Sequence, residues 1–202
     1  LTIIELVLFI VITGVAAAGI MRVLNIGTMA STDPARRKQA MLIAESYMEE
    51  VQLARFTFCD PSDDNASTVA DAAHCSQPET IGPETGNLRP FDNVNDYVTA
   101  TNVAQRSFAV GGVDTDINGR PLGQDASAGT LGNSSMSGIT TTVALDYVPG
   151  LGPAGRVIIS DVSSKDAMRV LRITIRTTYG TGPNDFIELD GYRTRYAPNY
   201  LP

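Results

Sequence analysis

Ionisable side chains are nearly missing from the start of this chain: residues 1–21 hold one, Glu5, and the first basic residue is Arg22. Basic charge is scarce overall, with 15 Lys and Arg against 22 Asp and Glu, a formal net charge of −7. That excludes a general nucleic-acid binder, which needs a basic face to displace counterions from phosphates, and no specific nucleic-acid partner is expected. Cysteine is limited to Cys59 and Cys75 and histidine to His74, too few ligands for a four-coordinate zinc set. Two cysteines close together in a polar, loop-like stretch suit one disulfide formed in an oxidising compartment. Closing that loop adds about 3 kcal/mol by the chain-entropy estimate. A nucleotide-binding glycine fingerprint and a haem-attachment C-x-x-C-H are both absent. A Ser-His-Asp site would have to use His74, in a disulfide-flanked loop and without an obvious orienting partner. No catalytic residue is assigned, and an enzyme is not expected.

What is present begins with a long apolar run, LTIIELVLFIVITGVAAAGIM over residues 1–21. As a helix it spans roughly 30 Å, the thickness of a bilayer core. A secretory signal peptide would open on a basic region and end in a small-x-small cleavage site. The run starts instead at Leu1 with no basic flank, which is read as a mature terminus. Glu5 is its informative residue, because a carboxylate in hydrocarbon costs several kcal/mol unless it neutralises or meets a cation. An α-amine at Leu1 is the nearest cation, from the same chain or from a neighbouring copy. The plainer alternative is a membrane anchor with Glu5 near the headgroups.

The segment LTIIELV resembles the amino terminus of type IV pilins: an apolar first residue, Thr or Ser next, then two aliphatics and Glu-Leu. The resemblance covers about the first 25 residues. It implies a prepilin leader removed by a dedicated peptidase, methylation of the Leu1 amine, and pairing of Glu5 with Leu1 of the next copy. It also implies residence in the inner membrane, then assembly by inner-membrane pilus machinery into an extracellular helical homopolymer. Many pilins carry proline near position 22, where this chain has Arg22. Gly14, Gly19 and Gly27 take over as the weak points, each costing about 1 kcal/mol in a helix relative to Ala. A stretched or non-helical segment between Gly14 and Gly27 is expected in the filament.

Further on, Asp33 and Pro34 form a helix-start signal. In ARRKQAMLIAESYMEEVQLA, residues Ala40, Ile43, Ala44, Tyr47, Val51 and Ala54 make one apolar stripe. The helix should end near Phe56 and be broken or kinked at Pro34. The stretch ARRKQAMLIAESYMEEV is also similar to minor pilins of the mannose-sensitive haemagglutinin type.

The expected fold is α+β, pilin-like, a long N-terminal helix packed on a C-terminal antiparallel sheet of about four strands. Four segments follow: 1–30 a membrane or filament-core helix, 31–56 an amphipathic helix, 57–139 long loops with the disulfide, and 140–202 the sheet. Short strands are expected at Asp96–Ala100 and Arg106–Val110. The main strands are expected at Thr140–Val148, Arg156–Val162, Met168–Thr178 and Phe186–Tyr196, with Leu171, Ile173 and Ile175 facing in. Arg169, Arg172, Arg176, Arg193 and Arg195 then lie on adjacent strands. They form either a binding patch or, as favoured, cross-strand and intersubunit pairs with surplus acids. Asn65 and Asn133 open glycosylation sequons.

Residues 114–125 read DTDINGRPLGQD, close to a calcium-loop template. Asp114, Asp116 and Asn118 would give side-chain oxygens, Arg120 its carbonyl and Asp125 the closing carboxylate. Asp stands where the template has the longer Glu, and Pro121 where it has an apolar strand residue. The alternative is a polar turn that holds no ion. Three functions remain in play: a pilus subunit, a minor pilin or secretion pseudopilin, and a membrane-anchored calcium-dependent binding protein. Adhesion, motility, DNA uptake and long-range electron transfer are the uses left open.

Overall fold

Apolar and helix-favouring residues run from the start of the chain into the amphipathic stripe, and they form one helix, α1, over Ile3–Leu53. The computed structural model describes residues 2–131, 136–148, 150–151 and 169–195, with the backbone alone for 23–33. The helix start expected at Asp33–Pro34 does not occur, because Pro34 lies inside α1. A proline forfeits one backbone hydrogen bond and crowds the preceding turn, but turns on both sides are already nucleated and propagate past it. Gly14, Gly19 and Gly27 are likewise helical in the single chain. The helix ends at Leu53, three residues before the expected Phe56.

The chain divides into two units, Leu1–Gln39 and Ala40–Pro202. In the first, every described side chain from Thr2 to Arg22 is exposed. In the second, the expected stripe is buried: Ala40, Ala44 and Val51 are fully covered, with Ile43, Tyr47, Met48 and Ala54 nearly so. They share one core with Val143, Leu145, Leu171, Ile173 and Ile175.

Those five come from an antiparallel sheet that has three strands among the described residues, β3 (Thr140–Tyr147), β4 (Val170–Thr178) and β5 (Phe186–Thr194), in that order. The register sets Val143 opposite Ile175 and Leu145 opposite Ile173, so the apolar residues alternate onto one face. The inward set expected of Met168–Thr178 is the one found. In β5 the residue opposite Ile173 is Gly191. A Cβ there would sit 2.6 Å from Gln52 Nε2 and 2.8 Å from Met48 Sδ, so glycine lets α1 approach the sheet. The strand expected at Arg156–Val162 lies outside the described residues.

Between helix and sheet the chain is mostly irregular. The Cys59–Cys75 disulfide is present and closes part of it. The strand expected at Asp96–Ala100 is replaced by a single 3-10 turn over Val94–Tyr97. Asn93 and Asp96 form a reciprocal capping box there, which pulls the backbone into a turn in place of extension. Of Arg106–Val110, only β1 (Ala109–Val110) is strand, paired with β2 (Val113–Asp114). Gly111 and Gly112 join them with φ of 59° and 84°, the left-handed pair a tight hairpin requires.

Arg89 ties this irregular segment to α1. Its Nε and Nη2 donate to Glu50 Oε1 and Oε2 at 2.6 and 2.8 Å. Its other donations reach the Phe108 carbonyl and the Thr115 hydroxyl and carbonyl, each at 3.0 Å. Tyr97 also donates to Glu50 Oε1, at 3.0 Å. Burial works against the Arg89 charge, but the Glu50 hydrogen bonds and charge outweigh it and push its pKa up. Arg89→Ala leaves Glu50 buried and unpaired, and should destabilise the fold by about 3–5 kcal/mol. Equilibrium denaturation in urea checks this; a loss below about 1 kcal/mol, the scale of a surface pair, would contradict it.

Candidate functional site: an apolar helix and an acidic junction

The first candidate is the start of α1. The span Ile3–Arg22 is long and apolar enough to cross a membrane. Thr2 and Glu5 cap it reciprocally: Thr2 N donates to Glu5 Oε2 and Glu5 N to Thr2 Oγ1, both at 3.4 Å. This is the T-x-x-E capping box, which also places the carboxylate at the positive end of the helix dipole. The signature stood in the sequence and was not used there, although it gives Glu5 a role within one chain. Leu1, the other expected assembly residue, lies outside the described residues. Thr13, the other polar side chain before Arg22, donates to the Phe9 carbonyl at 2.8 Å, so its hydroxyl needs no external partner.

The calcium-like loop is arranged differently from its template. Asp116 gathers the turn around itself, with Oδ1 accepting the Asn118 and Arg120 amides at 2.9 Å and Arg120 Nε 3.2 Å from Oδ2. Those amides and the Arg120 charge hold its carboxyl below the usual range. Asp114 is used elsewhere: it pairs with Arg106 at 2.8 Å and accepts the Thr141 amide at 2.6 Å. Asp125 caps a separate turn through the Ser127 and Gly129 amides. Asp116, Asn118 and Arg120 are brought together, while Asp114 and Asp125 serve other partners.

A second acidic site, with no regular spacing in sequence, forms around Glu84. Carboxylate oxygens of Asp60, Glu79 and Glu84 lie within 4.8 Å of one another, and those of Glu84, Asp92 and Asp96 do so as well. The pieces are positioned by the disulfide region. Asp60 follows Cys59, and Glu79 N donates to the Phe58 carbonyl at 3.0 Å, beside the Cys59–Pro78 bridge. Asp96 is fixed by its capping box with Asn93.

Glu79 is fully buried and Asp96 is 2% exposed, yet Glu79 Oε2 and Asp96 Oδ1 have no hydrogen-bond partner. Burial, then the Asp96, Glu84 and Asp60 charges, push Glu79 up to about 8. Burial, then Glu84 and Asp92, push Asp96 up to about 8. Among the described residues, no Lys, Arg or His forms an ion pair with any of the five. One signal could have found them: residues 57–105 hold eight acids and one basic residue, Arg89, which Glu50 occupies.

Four of the five strand arginines have the following partners within the chain. Arg172 pairs across strands with Asp146 at 2.7 Å, and Arg176 faces Glu188 at 3.8 Å. Arg193 donates to the Ala54 carbonyl at 2.7 Å, and Arg195 lies over the Phe56 ring. His74 does have an orienting partner, Asp71, 2.5 Å from Nδ1. Among the described residues no hydroxyl hydrogen-bonds to that ring. Asn133 lies outside the described residues, and Asn65 is half-buried in the disulfide loop, donating to the His74 carbonyl.

No protein-family model matches this chain, and no curated protein or solved structure matches it significantly.

The raised values at Glu79 and Asp96 have a definite sign. Between the ordinary carboxyl range and pH 8, the folded chain holds protons that the unfolded chain has released. Their stabilising contribution is therefore complete below the ordinary range and is lost as pH rises toward about 8. With divalent cations chelated, the Tm of the parent should fall more than that of Glu79→Gln between about pH 5 and 8. Parallel Tm–pH curves for the two proteins would contradict this.

Proposed function

We propose that this chain is a filament subunit of the type IV pilin kind, assembled through its apolar N-terminal helix. Glu5 is the observation that carries the reading. It is the one ionisable side chain in residues 1–21, at the capped end of a helix whose described side chains to Arg22 are all exposed. A predominantly apolar span of 20 residues left uncovered in water is unfavourable, so lipid or other copies of the same helix must cover it. A lipid anchor explains the apolar run and is compatible with the Thr2–Glu5 cap, but it supplies no cation for the carboxylate. A bundle of staggered copies gives it one, since the amine of Leu1 on a neighbour supplies the missing cation. The α+β layout, with the helix continuing into the core and packing on an antiparallel sheet, fits a subunit whose helix assembles and whose remainder faces outward. The disulfide fits an extracytoplasmic destination.

On this reading the subunit waits in the inner membrane, is trimmed and methylated at Leu1 by a prepilin peptidase, and is polymerised by the inner-membrane assembly machinery. Glu5→Leu keeps the helix apolar and removes the partner for the amine. Losing about 1.4 kcal/mol per added subunit raises the concentration needed for assembly about tenfold, so filaments sheared from cells producing this variant should fall strongly. Electron microscopy of the sheared material, with mass spectrometry of Leu1, reads both halves of the reading. Normal filament yield from Glu5→Leu would remove the assembly role.

A further inference from the structure

Three carboxylates crowd one neutral amide. Asn87 Nδ2 lies 3.2 Å from Glu84 Oε2, 2.9 Å from Asp92 Oδ1 and 3.2 Å from Asp96 Oδ2. An amide nitrogen has two hydrogens, so it cannot donate to three carboxyl oxygens at once. Rotating the Asn87 amide by half a turn puts its oxygen in the same place, and that orientation is set by whatever occupies the centre. Glu84 also belongs to the deeper trio with Asp60 and Glu79.

Hydrogen bonding alone does not make a site, but the burial here is unusual. Glu79 is completely buried, its Oε1 accepts only the Thr80 amide, and its Oε2 has no partner. Asp96 leaves Oδ1 unpartnered at 2% exposure. A buried carboxylate oxygen without a donor costs several kcal/mol, and among the described residues no cation relieves it. Two such oxygens beside three further carboxylates are an arrangement that a bound cation resolves.

We infer that the acidic junction centred on Glu84 is a calcium-binding site. Glu84 is the ligand common to both trios. Asp96 and Glu79 supply the buried oxygens, Asp60 the deep rim, Asp92 the exposed mouth, and Asn87 its amide oxygen. Calcium fits better than its competitors. All six donors are oxygen, as a hard cation prefers, and they come from irregular loop positions. Calcium accepts six to eight oxygens in flexible geometry, whereas magnesium demands a near-ideal octahedron and keeps its waters. Within each trio the oxygens lie within 4.8 Å of one another, inside the span of opposite ligands at the calcium–oxygen distance of about 2.4 Å. Cysteines and the imidazole, which would favour zinc, are committed to the disulfide and to Asp71. The site is distinct from the 114–125 loop, whose acids are engaged with Arg106, Arg120 and backbone amides.

Isothermal titration of the purified chain with calcium chloride, and Tm measured in calcium against EDTA, test the inference. Expected are saturable binding of at least one calcium per chain, a higher Tm in calcium, and weak or no heat with magnesium. Glu84→Gln should weaken calcium binding beyond the roughly 10–100-fold typical of losing an outer-shell partner. Asp92→Asn, at an exposed position, gives a second reading should Glu84→Gln fail to fold, and it too should weaken binding. Asp116→Asn should leave calcium binding unchanged. Absence of saturable calcium binding in the parent would overturn the proposal. So would binding that survives both Glu84→Gln and Asp92→Asn, or that Asp116→Asn alone abolishes.

Discussion

A charge inside the core governs the arrangement of the irregular half of the second unit. Glu50 sits on the inner side of α1, 9% exposed, among side chains that are otherwise apolar. An ionised carboxylate in that position must be met with donors or expel itself, and Arg89 meets it with a two-point fork. The rest of the guanidinium is spent on Phe108 and Thr115, so one side chain fixes helix, loop and hairpin in a single register. The stacked rings of Tyr47 and Phe108, 4.0 Å apart, lie beside it and keep water away. A segment with so little strand pairing has few ladders to satisfy its backbone, and this fork supplies part of what a ladder would.

The same economy shapes the electrostatics nearby. Because Glu50 takes the one basic residue between positions 57 and 105, the eight acids there are left to hydrogen bonds, to protons or to an external cation. Asp63 shows the first solution: the Gln77 and Asn65 amides hold its carboxyl below the usual range. Glu79 and Asp96 show the second, since burial and neighbouring charge favour their neutral forms. A divalent ion is the third, and it acts on both groups at once by reversing the sign of the local potential. The disulfide makes any of these cheaper, by holding Asp60 and Glu79 near each other before the charges are brought together.

Periodicity made the regular elements legible. Alternation in 170–178 and the three-four spacing in 40–54 each report a buried face, and burial is what decides those elements. No helix boundary occurs at Pro34, because capping signals describe local preference, while α1 is set by continuation from both sides. Asp96 lies in a capped turn and not in a strand, because its capping role depends on Asn93, three residues earlier, more than on its own neighbours. The calcium template failed to gather its acids for a related reason. A ligand loop needs its carboxylates free, and Asp114 is drawn to Arg106 and to the Thr141 amide at the edge of β3. Conversely, Asp60, Glu79, Glu84 and Asp96 meet only after the disulfide and a capping box fold the loop, so no spacing in sequence announces them.

Glu5 needs the most careful weighing, because its capping box gives it a purpose inside one molecule. At 3.4 Å the two reciprocal bonds with Thr2 are long, and an exposed cap of this kind is worth about 0.5–2 kcal/mol. Carrying the same carboxylate into hydrocarbon without a cation costs more than that cap returns. Capping therefore explains how Glu5 is held while the helix end is in water, and on the proposed reading it does not explain why an acid stands in a span that would enter an apolar environment. An amine from a neighbouring copy satisfies the second condition without disturbing the first. Of the two carboxylate oxygens, Oε2 accepts from Thr2, and on the proposed reading Oε1 would take the neighbour's amine.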